Sequence, residues 1–125
     1  MKKKILVVDD SPPMRKEILQ IVNSMKKFDI VGECENGEEC LSLYNVYKPE
    51  IIILDLEMPV KDGLETLIEL KKLNKYVKVL ITAIRGQNEL ILQALSAGAN
   101  EYIMKPVNAK KLVSILNTMS ARGYY

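Results

Sequence analysis

The sequence predicts one α/β domain, a five-stranded parallel sheet with helices on both faces. Two observations carry this. Short apolar runs rich in branched residues alternate strictly with segments whose apolar residues recur at helical spacing. Three of those runs are almost continuously apolar, as parallel strands buried on both faces require. Right-handed crossovers then place helices on either side of the sheet. A chain of 125 residues fits a single domain. It can bury roughly two-thirds of its unfolded surface without a disulfide or metal staple.

The elements follow in order. Lys2, Lys3 and Lys4 form a solvated lead-in to a first strand, Ile5 to Val8. Met14, Ile18, Ile21, Val22 and Met25 share one face of a first helix. Ser11 can cap that helix, and Pro12 and Pro13 suit a first turn whose amides lack partners anyway. A second strand, Ile30 to Cys34, precedes a helix marked by Cys40, Leu41, Tyr44 and Tyr47. The third strand is Ile51 to Leu54, and its helix carries Leu64, Leu67, Ile68 and Leu73. Val77 to Ile81 form the fourth strand, and Ile91, Ala94 and Leu95 mark a helix that Gly98 can close in a left-handed conformation. The fifth strand, Tyr102 to Met104, leads to a last helix with Leu112, Val113, Leu116 and Met119. No repeat, low-complexity stretch or linker interrupts the series.

Composition removes several functions. Hydrophobic residues are 48% and charged residues 27%, a globular mixture rather than a disordered one. Lys and Arg number 18 against 16 Asp and Glu, and a net +2 is too slight to imply nucleic acid. The lysines are too scattered to imply a membrane surface. The absence of His removes Ser-His-Asp hydrolysis, His-ligated zinc and phosphohistidine carriage. Cys34 and Cys40 form no CxxC motif and read as reduced thiols of a cytoplasmic protein. No apolar run approaches the roughly 20 residues of a membrane span, and no signal peptide is visible.

Ligands of open parallel sheets bind beyond the carboxyl ends of the strands, so the residues there matter most. After the first strand come Asp9 and Asp10. Asp55 follows the third, with Glu57 two residues on. Thr82 and Ala83 follow the fourth, and Lys105-Pro106 the fifth. Each alone has an ordinary reading: helix capping for Asp-Asp-Ser, a solvated amine for Lys105, strand-end filler for Thr82. Four such positions at one rim are much harder to attribute to chance. Carboxylates ~5 Å apart repel by about 3 kcal/mol at an effective dielectric near 20, so the cluster favours a cation. Oxygen donors without His or Cys select a magnesium-like ion. A metal and a lysine beside one Asp can stabilise a transferring phosphoryl group, with that Asp as nucleophile. Asp55 is the best candidate, because it closes a wholly apolar strand that fixes its backbone.

The stretches "ILVVDDSPPMR", "IIILDLEMPVKDGLE", "VLITA" and "SAGANEYIMKPV" occur in this order across about residues 3–120. Together they resemble the response-regulator receiver domain of two-component signalling, in its CheY-like form. The resemblance implies a flavodoxin-like (βα)5 doubly wound sandwich with strand order 2-1-3-4-5. It implies that residues 1–125 form one receiver domain in which Asp55 accepts a phosphoryl group from a phosphohistidine of a sensor histidine kinase. It also implies Mg2+ as cofactor, bound by the carboxylates of Asp10 and Asp55 and the backbone carbonyl of Glu57, with Asp9 acting mainly through a metal-bound water. Lys105, on a cis peptide with Pro106, would contact the phosphoryl oxygens. Thr82 would move to hydrogen-bond them, and Tyr102 would turn into the space vacated.

Further expectations rest on the same resemblance. The domain is no turnover enzyme, but catalyses its own phosphotransfer and autodephosphorylation. Its protein target meets the face built by the fourth helix, fifth strand and fifth helix. The kinase docks near Pro12, Pro13 and Met14, and a phosphatase is a further candidate partner. No direct nucleic acid or membrane contact is expected. Glu57 and Ile84 flank the phosphoryl position and should tune its lifetime. Only "SARGYY" follows the last helix, which favours a stand-alone chemotaxis regulator. A receiver belonging to a longer methylesterase, suggested by "DLEMP", or to a transcription factor is the alternative. A haloacid-dehalogenase phosphatase would place an Asp where Glu57 stands, and a flavodoxin-like electron carrier would need a phosphate loop after the first strand.

Overall fold

A computed structural model describes residues 2–121, 123 and 124. Its elements alternate as the sequence predicts: β1 (Lys3–Val8), α1 (Pro12–Ser24), β2 (Phe28–Cys34), α2 (Gly37–Tyr47), β3 (Ile51–Asp55), α3 (Gly63–Leu73), β4 (Lys78–Ala83), α4 (Asn88–Ser96), β5 (Glu101–Met104) and α5 (Ala109–Met119). All strand pairs are parallel, in the order β2-β1-β3-β4-β5. Among the described residues no helix is long and apolar enough to cross a membrane.

Side-chain alternation along the strands divides the interior into two layers. Ile5 and Val7 of β1, with Ile51 and Ile53 of β3, face Ile18 and Val22 of α1 and Leu112 and Leu116 of α5. Leu6 and Val8, with Ile52 and Leu54, face Cys40 and Tyr44 of α2, Leu67 and Leu70 of α3 and Ile91 of α4. The unbroken apolar run of β3 is thus explained, since both of its faces are covered. Fully burying each such Leu or Ile stabilises the fold by roughly 1.5–3 kcal/mol.

Local chemistry sets the helix ends. The Ser11 hydroxyl accepts from the Met14 amide at 3.4 Å, with prolines in the first two helical positions. Asn36, Asp62 and Asn108 cap α2, α3 and α5 in the same way. Gly98 takes φ +111° just beyond α4, the left-handed conformation predicted there.

The structure departs from the sequence reading at several helix faces. Tyr47, Ile68, Leu73 and Leu95 are exposed rather than core residues. In α3 the buried stripe is Gly63, Thr66, Leu67 and Leu70, with Thr66 packed against Gly37 of α2. Leu67 belongs equally to a stripe through Leu64 and Ile68, and the small residues of the true one hide it from a hydrophobicity pattern. Strand ends also run further than predicted. β3 and β4 continue through Asp55 and Thr82, which are direct partners in the sheet register.

Candidate functional site

The site lies beyond the carboxyl ends of β1, β3, β4 and β5. Asp9 follows β1 and is fully buried. Its amide donates to the Cys34 carbonyl at 3.0 Å, continuing the β1–β2 ladder. Its Oδ1 accepts from the Ser11 amide at 2.8 Å, and the Arg15 guanidinium donates to its carbonyl at 2.6 Å. Arg15 also pairs with Glu33 at 2.8 Å, which clamps the turn between β1 and α1 to the edge strand. Sequence reasoning missed this role, because nothing in an isolated arginine points to it. Asp10, next in the chain, is exposed at the mouth of the site.

Asp55 ends β3 with only 4% of its surface exposed. Its backbone is held from behind by an unusually close approach of α3. The Gly63 amide donates to the Leu56 carbonyl at 2.9 Å, and a Cβ on Gly63 would fall 2.2 Å from the Asp55 carbonyl oxygen. Only glycine leaves room there. The Asp55 Oδ1 accepts from the Glu57 amide at 3.4 Å.

Lys105 enters from β5, its amide donating to the Ala83 carbonyl at 2.7 Å and its peptide bond to Pro106 in the cis form. Its Nζ lies 3.0 Å from Asp9 Oδ2 and 3.3 Å from Asp55 Oδ2. The contact with Asp9 is an ion pair without an aligned hydrogen bond, so Asp9 Oδ2 is buried with no hydrogen-bond partner. The Thr82 hydroxyl, also buried, has none either.

Electrostatics follow from this geometry. Oxygens of Asp9, Asp10 and Asp55 lie within 4.8 Å of one another. Burial, then the charge of Asp9, pushes the Asp55 carboxyl up to about 6 against the pull of Lys105. Burial disfavours the Lys105 cation, yet its close contact with Asp9 and the charge of Asp55 outweigh that, and its pKa is raised. Three carboxylates against one ammonium leave two negative charges in excess. The donors are all hard oxygens, and among the described residues none donates a hydrogen bond to the buried Asp9 Oδ2. This set fits a divalent magnesium-like ion.

A cleft of about 250 Å³ opens over the cluster, lined by Asp10, Asp55, Glu57, Ile84, Gln87 and Lys105. The Glu57 carboxylate stands at its lip, outside the three-carboxylate cluster, and accepts from Gln87 Nε2 at 3.1 Å. Ile84 is half exposed on the same lip. Gln87 is a second residue that sequence reasoning missed as part of the site. Tyr102 is 44% exposed and lines an apolar cleft with Ile91, Leu92, Leu95 and Met104. Thr82 and Tyr102 therefore sit on adjacent strands, Tyr102 pairing with Ile81 in the register.

A larger cavity, about 580 Å³, is lined in part by Lys3, Tyr76, Lys78 and Tyr124. It holds none of these site residues. Its Lys3 and Lys78 ammoniums donate to the Ser120 and Met119 carbonyls at the end of α5, a structural use of both charges.

Residues 5–117 match the family described as the response regulator receiver domain. The chemotaxis protein CheY of Thermotoga maritima is 32% identical over 120 residues, covering 96% of this chain and 99% of that protein. A protein-glutamate methylesterase/protein-glutamine glutaminase of Syntrophomonas wolfei is 39% identical over 106 residues, which are 84% of this chain and 30% of that longer one. Among solved structures, a chain of the CheX-CheY-BeF3-Mg2+ complex from Borrelia burgdorferi superposes with a TM-score of 0.89 at 28% identity. That match covers 96% of this chain and 90% of the other.

Proposed function

Because this chain belongs to the response regulator receiver domain family, we propose that it is a phosphorylation-dependent signalling switch with Asp55 as its phosphoacceptor. The observation that carries the proposal is the placing of Asp55. It is a buried carboxylate ending a rigid strand, 3.3 Å from a lysine and within a cluster of two further acids.

The transfer uses the chain's own groups. An Asp55 oxygen bonds to phosphorus as the bond from phosphorus to the donor imidazole breaks, its electron pair returning to that ring. Lys105 already spans Asp9 and Asp55, so it is placed to meet the negative charge of the incoming phosphoryl oxygens. The backbone amide of Glu57 faces the same carboxylate. Asp10, Asp55 and the Glu57 carbonyl would hold Mg2+, with Asp9 acting through a bound water. When bound, the ion supplies positive charge to the transferring phosphoryl group.

Switching begins at the unpaired Thr82 hydroxyl. A phosphoryl group on Asp55 adds roughly −1.5 to −2 charge and strong acceptor oxygens beside its sheet partner. Thr82 turns toward them, and Tyr102 moves from its exposed position into the space left. The surface of α4, β5 and α5 changes, and with it the affinity for a protein target. Moving from mostly inactive to mostly active needs about 5.5 kcal/mol of preference, so the target itself completes the shift.

The reading extends to partners. A sensor histidine kinase docks on α1 near Pro12, Pro13 and Met14, and a phosphatase acts at the Asp55 cleft. A stand-alone chemotaxis regulator in the cytoplasm is favoured by the match to nearly the whole of the Thermotoga protein. The second reading, a receiver within a longer regulator, is favoured by the higher identity to part of the methylesterase.

Intact mass after incubation with acetyl phosphate tests the chemistry. One labile phosphoryl group with Mg2+, absent with chelator and absent in Asp55→Asn, is expected. An adduct that persists in Asp55→Asn, or none in the wild type, would overturn the assignment.

A further inference from the structure

The lip of the acidic cleft carries a bridge whose direction is fixed by the backbone. Gln87 stands just before α4, in the loop from β4. Its Oε1 accepts from the Ile84 amide at 2.9 Å, and its own amide donates to the Ile84 carbonyl at 3.3 Å. A backbone N–H can pair only with an acceptor, so the oxygen of the Gln87 side chain must face Ile84. The NH2 group is thereby turned outward across the cleft. There it meets Glu57 Oε2 at 3.1 Å, an acceptor-only group when ionised. Loop chemistry on one side therefore orients the donor that holds the carboxylate on the other.

We propose that Gln87 is a positioning residue for Glu57, holding its carboxylate at the lip and so setting the lifetime of the phosphoryl group on Asp55. The proposal rests on the reading of Asp55 as phosphoacceptor and adds a residue to it. Hydrolysis forms a bond from a water oxygen to phosphorus while the phosphorus–Asp55 bond breaks, its electron pair returning to the carboxylate. The water's proton passes to solvent. Glu57 lines the same cleft as Asp55 and is the exposed carboxylate nearest in sequence to it. With Oε2 engaged by Gln87, it is tied to the α4 side. Released, it can turn into the cleft and orient the attacking water toward phosphorus.

Gln87→Ala should therefore shorten the aspartyl-phosphate lifetime by roughly three- to tenfold, the size of effect one hydrogen bond carries. Two further variants separate this role from loop support. Gln87→Glu keeps an oxygen for the Ile84 amide but loses the donor and opposes Glu57 with a second negative charge. It should shorten the lifetime as Gln87→Ala does. In a Glu57→Ala background neither substitution should change the lifetime. A wild-type lifetime in Gln87→Glu, or an undiminished effect in the Glu57→Ala background, would overturn the proposal.

A measurement without phosphate tests the bridge by itself. The side-chain NH2 resonances of Gln87, assigned by NMR in the unmodified protein, should shift on Glu57→Ala. Unshifted resonances would overturn the bridge even if Asp55 is phosphorylated. A protein that takes no phosphoryl group while those resonances do shift would refute the phosphoacceptor reading, and with it the lifetime role, while leaving the bridge in place.

Discussion

Replacing Asp55 by Asn should stabilise the metal-free protein, although it removes the proposed phosphoacceptor. The ionised Asp55 carboxylate is buried among other acids, and its pKa is raised from 3.8 to about 6. A difference of about two units corresponds to about 3 kcal/mol of penalty on the charged, folded form. The sign follows from linkage. Folding raises this pKa, so the folded state binds the proton more tightly than the unfolded state. The penalty is absent below about pH 4, grows as pH rises toward 6, and is complete above that. Asn resembles the neutral acid and lacks the penalty at every pH, while Lys105 retains its contact with Asp9.

In chelator at pH 7.5, Asp55→Asn should gain about 1–3 kcal/mol, or roughly 4–10 °C in Tm. At pH 4.5 the gain should fall to about a third of that. Thermal and urea unfolding at both pH values measures it. Mg2+ should close the gap by stabilising the wild type more than the mutant. Equal stability in chelator at pH 7.5, or a gain that does not change with pH, would refute the electrostatic reasoning.

Three further outcomes are expected. Thr82→Val removes a buried hydroxyl that has no partner, so it should stabilise the unmodified protein by about 1 kcal/mol in urea unfolding. The same variant should be phosphorylated normally, yet fail to move the Tyr102 ring resonances. Gly63→Ala should destabilise by more than about 2 kcal/mol, because its Cβ would meet the Asp55 carbonyl oxygen at 2.2 Å. A mild effect by denaturant titration would mean that α3 is not held against the Asp55 backbone. Calorimetric titration with Mg2+ should show one site in the wild type, weakened at least about tenfold in Asp10→Asn, since one charged oxygen ligand is lost.

Much of the fold was legible because the sheet is covered on both faces. The unbroken run Ile51 to Leu54 has no reading as a half-exposed strand, and the strict alternation leaves little topological choice. The position of the site was legible for the same reason, since Asp9, Asp55, Thr82 and Lys105 each stand at a strand end. What remained hidden depends on contacts distant in sequence. Gly63 lies close against the β3 backbone and Thr66 against Gly37 of α2, and neither residue signals this by hydrophobicity. Arg15 and Gln87 act through bonds to Asp9 and Glu57 that no local motif announces. The strand order came from the resemblance to receiver domains, and the observed β2-β1-β3-β4-β5 sheet agrees with it.

The most direct test of Asp55 as phosphoacceptor is the position of the label. The protein, phosphorylated by acetyl phosphate with Mg2+, is reduced with borohydride, which converts an acyl phosphate to an alcohol at the modified residue. Peptide mapping by tandem mass spectrometry then finds that residue. Reduction at Asp55, with Asp9 and Asp10 intact, is the predicted result. Reduction at Asp9 or Asp10 instead, in protein that carries the label, would contradict it.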